Sequence, residues 1–355
     1  MYHPRPPDYP QRTAASHLQN VSSTESLPSQ SSQILPRLQA EYVHASAEQV
    51  LAADDVLAVI GFADAPAQLD DPRYLRVDLQ SDGPTPLEVW RTGAGVRSGR
   101  HGALNWSCAQ DYLFFSIEVD EQRAGGVAAA AEQAYAEIGG WLETHPLPDA
   151  RPAHVLRLWN YLDAINEGEG DDERYRQFCR GRARGIVGVA RAGYSAATAI
   201  GRRDGRRVLQ VYGLAAGVAG TAIENPRQVS AWTYPRQYEP VAPTFARATR
   251  TGANQLLISG TAAVVGHQSQ HVGDTLAQLD ETLRNLDSLH AAAGAEIAAR
   301  GMAASLLKVY LRDPNDKIAV ADTLARHRPA LSTPLVLFGD ICRDDLCIEI
   351  DGIQG

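Results

Sequence analysis

The stretch QLLISGTAAVV at residues 255–265, together with the leucine-rich segment at residues 272–290, decides the fold. The first is short and apolar with several β-branched residues, which is typical of a buried strand. In the second, apolar residues recur every three or four positions and so share one helix face: Leu276, Leu279, Leu283, Leu286 and Leu289. Further elements are predicted downstream, namely strands at residues 305–311, 333–338 and 347–350, with a second helix between Asp313 and Pro329.

The same order of elements is repeated earlier in the chain. The stretch YLFFSIEV at residues 112–119 predicts the first strand, and the helix after it carries apolar residues at the same spacing: Val127, Ala131, Ala134, Ile138 and Trp141. Residues 154–161 and 173–184 take the places of the next strand and helix, and two more strands are predicted at residues 194–200 and 208–215. We therefore expect an α/β (α+β) fold of two tandem units, each with a mixed sheet and helices packed on one face.

Three segments divide the chain. Residues 1–35 are rich in Pro, Ser and Gln and carry few apolar residues, so we predict a disordered tail. We assign residues 36–190 to a degenerate N-terminal copy of the unit and residues 191–355 to a C-terminal copy. A long Pro-rich connection at residues 221–250 lies near the junction, and loops of such length are uncommon unless they are functional.

Composition excludes several classes of protein. A net charge of -9 argues against nucleic-acid binding, because phosphate contacts need a basic surface. The four cysteines show no Cys-x-x-Cys spacing and are too few for a secreted disulfide scaffold. No apolar run approaches the roughly 20 residues of a membrane helix. We expect a cytoplasmic protein that is bound neither to membrane nor to nucleic acid.

The Pro-rich connection carries residues suited to binding an anion. Arg227, Tyr234, Arg236 and Arg247 alternate there with prolines that stiffen the backbone. Arginine and tyrosine are directional donors for a carboxylate, and arginine can bind one with two parallel hydrogen bonds. A structural loop with solvated arginines is the alternative interpretation.

Glu349 lies in a strand-like stretch ending at Ile350. If its side chain pointed into a crevice, desolvation would raise its pKa enough for it to act as an acid. Spacing alone favours the alternative, an exposed glutamate on a strand.

Other polar and small residues favour structural roles. His267 and His271 stand four apart, a spacing that can bind metal, but no third ligand completes a recognisable pattern. Cys342 and Cys347 are interpreted as small buried apolar residues, since no histidine pattern marks a nucleophile. Gly260 is expected at a bulge or a close-packing point, because no further glycines follow at phosphate-loop spacing.

Longer motifs carry a family resemblance. The second unit resembles the YjgF/Rid fold, whose members form trimers of a chorismate-mutase-like α/β unit. Over essentially the whole chain after the tail, the sequence resembles the chorismatases through the following motifs: Arg157-x-Trp159-Asn160-Tyr161, Tyr175-x-x-Phe178-Cys179-x-Gly181-Arg182, Glu224-Asn225-Pro226-Arg227-Gln228, Tyr234-Pro235-x-x-Tyr238, Ser259-Gly260-Thr261-Ala262 and Gly339-Asp340-Ile341-Cys342-Arg343.

This resemblance implies a reaction and a set of site residues. Glu349 matches the family's catalytic acid, which protonates the enolpyruvyl ether of chorismate so that pyruvate is released. The residues implied to bind the substrate are Arg227, Tyr234, Arg174, Tyr175, Arg312 and Ala262. No metal or organic cofactor is expected, since acid catalysis on an enol ether needs neither.

The product, the activity and the oligomeric state each have alternatives. Cys342 resembles the members that form 3-hydroxybenzoate, sometimes with 4-hydroxybenzoate, whereas other members hydrolyse chorismate to a dihydroxycyclohexadiene carboxylate. A Rid-type enamine or imine deaminase is a second activity, but no arginine lies in the strand at residues 331–337 where that chemistry would need one. A metabolite-binding regulator without activity is a third. Two fused units permit either a monomer or a homotrimer.

Overall fold

The sequence forms three large sheets and one two-stranded hairpin in a computed structural model that describes residues 35–93, 95–236 and 241–355. The predicted tail at residues 1–35 lies outside the described residues except for Leu35. The first sheet and its helix comprise β1 (Gln39–Val43), α1 (Ala47–Leu51), β2 (Val56–Phe62), β3 (Tyr74–Val77) and β4 (Leu87–Arg91).

The second sheet contains the first predicted unit. Its elements are β5 (Arg97–His101), β6 (Leu104–Cys108), β7 (Tyr112–Asp120), α2 (Glu121–Ala124), α3 (Val127–Thr144), β8 (His154–Asp163), α4 (Arg174–Gly185), β9 (Ala196–Arg202) and β10 (Val208–Ala216). The third sheet contains the second unit. Its strands and helices are β11 (Thr221–Ile223), β12 (Ala248–Arg250), β13 (Leu256–Ala262), α5 (Thr275–Ala292), α6 (Ala295–Arg300), β16 (Ser305–Leu311), α7 (Lys317–His327), β17 (Leu335–Phe338) and β19 (Ile348–Gln354). The same part of the chain also forms a short hairpin of β14 (Val264–Val265) and β15 (Gln268–Ser269). It also contains β18 (Asp340–Ile341), which joins the second sheet.

All three sheets share one connectivity. Their strand orders are β3-β2-β4-β1, β18-β9-β8-β10-β7-β6-β5 and β17-β16-β19-β13-β12-β11. In each sheet a parallel pair (β2 with β3, β8 with β9, β16 with β17) is flanked by a later strand that runs antiparallel to it (β4, β10 or β19). The two predicted units of mixed sheet and helix are confirmed, and the first sheet is a smaller third unit that we did not predict.

Helices cover one face of the two larger sheets, as predicted. On the second sheet, α3 and α4 bury residues such as Ile138 and Phe178 against the strands. On the third, α5 and α7 bury residues such as Leu286 and Leu324. The opposite faces of all three sheets meet in one central core, to which the first sheet contributes Trp90, the second Trp159 and Tyr212, and the third Tyr310. The space between the sheets is therefore both buried and rich in aromatic side chains.

Several boundaries differ from the predicted ones. The predicted domain boundary after residue 190 falls inside the elements of the second sheet, because β9 and β10 both hydrogen-bond to β8. The helix predicted from residue 272 begins at Thr275, since the Asp274 side chain caps it by accepting a hydrogen bond from the Ala277 backbone N–H. The connection at residues 221–250 contains the short strands β11 and β12. Among the described residues, no helix is long and apolar enough to span a membrane.

Candidate active site

Glu349 lies in the middle of the third sheet with its side chain turned away from the helices. It is placed on β19 between Ala262 of β13 and Tyr310 of β16. Side chains alternate along a strand, and Ile348 and Ile350 point into the core under α5. Glu349 therefore faces the second sheet, where it is 4% exposed. The alternative of an exposed strand glutamate is excluded.

The surroundings of Glu349 keep its carboxyl group protonated. Burial and, to a smaller extent, the nearby negative charge of Asp351 raise the pKa of Glu349 to about 8, against the opposing effect of Arg157 and Arg247. A carboxyl group with such a pKa carries its proton at neutral pH, which is the form that a general acid needs.

Gly260 provides the space that the carboxyl group occupies. The pairing of β13 with β19 shifts register between Ile258 and Thr261, so a bulge lies at Gly260 as expected. A Cβ atom built on Gly260 would lie 1.9 Å from Oε1 of Glu349. The backbone N–H of Gly260 donates to Oγ1 of Thr198 at 2.9 Å, which joins the bulge to the second sheet. Any side chain at this position would displace the acid.

Two small cavities open beside Glu349. The residues that line both are Tyr175, Pro243, Phe245, Gly260, Cys342 and Glu349. The first also reaches Arg182 and Asn160, and the second reaches Arg247, Arg343 and Tyr234. Each has a volume of about 40 Å³. Glu349 and Cys342 thus line one crevice made of the two cavities, which Arg182 reaches in the first cavity and Arg247 and Arg343 reach in the second.

Two of these arginines are buried with hydrogen-bonding capacity to spare. Arg182 is 4% exposed and donates from Nη1 to Oγ1 of Thr244 at 2.9 Å. Arg247 is 5% exposed and donates to the hydroxyl of Tyr234 at 2.6 Å. The Nε of each has no hydrogen-bond partner among the residues that the structure describes. Buried guanidinium groups are costly unless they are paired, so this arrangement suits the binding of anions.

The structure brings five of the predicted site residues together and places three elsewhere. Glu349, Cys342, Tyr175, Tyr234 and Ala262 line the crevice. The remaining three are engaged in contacts outside it, which is a correction to their expected place.

Each of these three arginines has a structural partner. Arg227 donates to Oδ1 of Asn285 at 2.7 Å and pairs with Glu281 on α5. Arg174 pairs with Glu121 at 2.7 Å. Arg312 pairs with Asp340 at 2.7 Å and donates to the backbone oxygen atoms of Leu346 and Arg343, both at 2.9 Å.

Of the arginines that line the crevice, Arg247 is among the anion-binding candidates of the Pro-rich connection, whereas Arg182 and Arg343 are not among the site residues expected from the sequence. Arg182 and Arg343 each stand in a motif that carried the family resemblance, but nothing in their local sequence separates them from Arg174 or Arg227. Arg174 and Arg227 pair with Glu121 and Glu281 outside the crevice, a difference that arises only from the folded structure. Arg312 still bears on the site, because it holds the segment that carries Cys342 and Arg343.

The sequence is similar to those of known proteins over most of its length. A family model described as chorismatase FkbO/Hyg5-like, N-terminal, matches residues 88–215, which end one residue before the end of β10. A 3-hydroxybenzoate synthase of Streptomyces hygroscopicus is 33% identical over 304 residues, covering 80% of this chain and 86% of that protein. The chain belongs to the chorismatase family. A chorismatase of Streptomyces rapamycinicus is 35% identical over 280 residues, covering 75% of this chain and 81% of that protein.

The fold agrees with this chorismatase assignment. A chorismatase crystal structure at 1.08 Å resolution superposes on this chain with a TM-score of 0.77 and 29% sequence identity. The superposition covers 90% of this chain and 98% of the chain in the crystal structure. Within the described residues of this family member, no group of three or more His, Cys, Asp or Glu side chains could hold a metal ion. His271 instead lies 3.5 Å from a carboxylate oxygen of Glu281.

Proposed function

We propose that this chorismatase protonates the enolpyruvyl ether of chorismate and releases pyruvate. The observation that carries the proposal is a buried carboxyl group with its pKa raised to about 8, set in a crevice between buried arginines. Such an acid can donate a proton to carbon only where water does not compete for it. Family membership supplies the substrate, because the relatives are named as chorismatases and a 3-hydroxybenzoate synthase.

Glu349 donates its proton to the methylene carbon of the enolpyruvyl group. The π electrons of the double bond form the new C–H bond, and the positive charge moves to the ether carbon as an oxocarbenium ion. The carboxylate left on Glu349 lies beside that cation and stabilises it. The ring hydroxyl next to the ether then attacks the ring carbon that carries the ether oxygen, and its proton returns to the Glu349 carboxylate. The electrons of the broken ring C–O bond form the carbonyl of pyruvate, which leaves, and the remaining ring compound isomerises to the hydroxybenzoate without net water. Arg157 and Arg247 stabilise the carboxylate as it forms on Glu349, which assists the proton transfer.

The two carboxylates of chorismate bind at opposite ends of the crevice. Arg182 receives one, and Arg247 with Arg343 receives the other, so the ether lies over Glu349 between them. Fixing both anions orients the double bond toward the acid. The two cavities hold about 40 Å³ each, which is too small for this substrate, so the crevice must widen when the substrate binds.

Cys342 directs the reaction toward 3-hydroxybenzoate, with 4-hydroxybenzoate as a possible second product. It lines both cavities with Glu349 and Phe245, and it narrows the space in which a water molecule could attack. Formation of a hydroxybenzoate and pyruvate needs no net water, whereas the diol product needs one. The relative named 3-hydroxybenzoate synthase supports this choice.

Glu349→Gln tests the proposal directly. It keeps the shape of the side chain but removes the transferable proton, so we expect kcat with chorismate to fall by roughly 10²- to 10⁴-fold while KM stays near the wild-type value. Pyruvate and aromatic products are followed by chromatography. Absence of pyruvate with the wild-type protein would refute the function, and near-normal turnover of the variant would refute the role of Glu349.

We also propose that one chain works alone in the cytoplasm. The three sheets already enclose the central core within a single chain, so no second copy is needed to bury those faces. No disulfide joins the four cysteines, which suits a reducing compartment. Light scattering coupled to gel filtration measures the mass in solution, and a trimer would contradict the first part of this proposal.

A further inference from the structure

Asp351, two residues after the acid on β19, lies at the centre of a buried polar cluster. Its Oδ2 accepts hydrogen bonds from groups of both larger sheets: Nη2 of Arg157 at 3.1 Å, Nε1 of Trp159 at 3.0 Å, Oγ1 of Thr198 at 2.9 Å and the hydroxyl of Tyr310 at 3.1 Å. Asp351 is 0% exposed. Residues two apart on a strand face the same side, so its charge lies on the side of the sheet that carries Glu349.

The cluster extends to the first sheet through Lys308. Its Nζ donates to Oε2 of Glu88 on β4 at 2.8 Å and lies 3.9 Å from Oδ1 of Asp351. Lys308 also sits 4.9 Å from the centre of the Trp159 ring. All three sheets therefore contribute charged or hydrogen-bonding groups to one interior site.

The charges of this cluster balance only while Glu349 is neutral. Arg157 and Lys308 carry two positive charges, and Glu88 and Asp351 carry two negative charges. Ionisation of Glu349 would add a third negative charge in a part of the protein from which water is excluded, and an uncompensated buried charge is strongly unfavourable. Removal of Asp351 would reverse the balance, because the cations would then favour a carboxylate at Glu349.

We propose that Asp351 is a positioning residue for the reaction, whose fixed negative charge keeps Glu349 in the protonated form that donates to substrate. This role rests on the proposed function, since it concerns the acid that acts on chorismate. It assigns a purpose to the charged side chains of the cluster, which do not themselves line the crevice. The direction agrees with the effect of Asp351 on the pKa of Glu349, which the neighbouring carboxylate raises.

Other titratable and charged groups face Glu349 from the surrounding elements. Arginines approach from β8, from α4 and from the segments that end the crevice: Arg157, Arg182, Arg247 and Arg343. Weak acids approach from α4 and the same segments: Tyr175, Cys179, Tyr234 and Cys342. The arginines all favour ionisation of Glu349. The negative charge of Asp351 opposes them.

The pH dependence of kcat/KM for pyruvate release tests the role. Activity needs protonated Glu349, so in the wild-type protein it is full at low pH and is lost as pH rises through about 8. In Asp351→Asn we expect the midpoint of this loss to fall by on the order of 1 pH unit. Lys308→Met removes a cation from the same cluster and is expected to move the midpoint upward. Asp351→Glu keeps the charge and is expected to restore a midpoint close to that of the wild type.

A merely structural role predicts a different result. It would lower kcat/KM by the same factor at every pH in both variants and leave the midpoints unchanged, which would overturn the inference. If either variant does not fold, the other still decides the direction of the shift. The infrared band of the protonated carboxyl group is titrated in wild type and in Glu349→Gln, and the difference between the two measures the ionisation of Glu349 without substrate. The same difference is then measured with Asp351→Asn present in both proteins. The titration therefore separates failure of this inference from failure of the proposed chorismate cleavage.

Discussion

Gly260→Ala is a one-methyl test of the acid, because the structure leaves no room for a side chain there. An ideal Cβ on Gly260 lies 1.9 Å from Oε1 and 2.7 Å from Cδ of Glu349, and real Cβ contacts essentially never fall below 3.0 Å. Thr198 Oγ1 lies 3.3 Å away from the same Cβ position and limits how far the new methyl group can retreat. The carboxyl group of Glu349 must therefore shift by about 1 Å, a displacement that can cost roughly 10²-fold in rate.

The loss should appear in turnover rather than in binding. The arginines that hold the substrate carboxylates, Arg182 and Arg247, are not displaced by the added methyl group, so KM should change little. A 10²-fold fall in kcat corresponds to about 2.7 kcal/mol of lost transition-state stabilisation.

Gly140→Ala is the matched control. A Cβ at Gly140, on the exposed side of α3, meets nothing within 4 Å. Alanine in a helix is favoured over glycine by roughly 1 kcal/mol, so this variant should keep wild-type activity with equal or higher stability. Pyruvate release from chorismate is measured through coupling to lactate dehydrogenase, with thermal unfolding of each variant in parallel. A folded Gly260→Ala protein that retains more than half of the wild-type kcat would refute the placement of the acid.

Three further outcomes follow from the same geometry. Cys342→Ala opens the crevice to water and should shift the products from hydroxybenzoate toward the dihydroxycyclohexadiene carboxylate; an unchanged product ratio by chromatography would remove Cys342 from product control. Arg182→Met and Arg247→Met each delete one contact to a substrate carboxylate. Each should raise KM by roughly tenfold or more, because a lost hydrogen bond to a charged group is worth about 1.5–3 kcal/mol. Equal KM values in wild type and variants would place the substrate elsewhere. Because the folded-state pKa of Glu349 is raised to about 8, the contribution of Glu349 to stability is fully present below its unfolded pKa and is lost as pH rises to about 8. Glu349→Gln should therefore be more stable than wild type at pH 9, by up to a few kcal/mol, but not at pH 4. Denaturant titrations in which the two proteins have parallel curves of stability against pH would contradict the raised pKa.

Periodicity was sufficient for the two larger units because their helices are long. The leucine stripe of α5 and the apolar face of α3 each run over 18 residues, and each is followed by a buried strand. The first sheet offers no such signal. Its helix α1 spans 5 residues, and its strand β2 is buried throughout, so neither helical spacing nor strand alternation stands out.

Site residues were harder to predict, because the role of a side chain depends on contacts with residues that are distant in sequence. Arg227 and Arg247 stand in the same Pro-rich connection, and both are candidates by composition. Arg227 pairs with Glu281, which belongs to α5 and lies 54 residues away. Arg247 instead faces the crevice, where its Nε lacks a partner among the described residues. Sequence spacing cannot supply this contrast, because it arises only when α5 packs against the third sheet.

The acidity of Glu349 has the same origin. Within β19 it is one carboxylate two residues from another, and in an isolated strand both would ionise at neutral pH. Packing of the second sheet removes water from Glu349 and at the same time gives Asp351 four hydrogen-bond donors, which fix that side chain as the charged one. Two carboxyl groups on one face of one strand thus have different surroundings, because four hydrogen bonds converge on Asp351 whereas burial dominates at Glu349 and raises its pKa. An acid made in this way depends on residues of β8 and β9 as much as on its own strand, so changes to Arg157, which lines neither cavity, should alter the chemistry of Glu349 without touching the substrate.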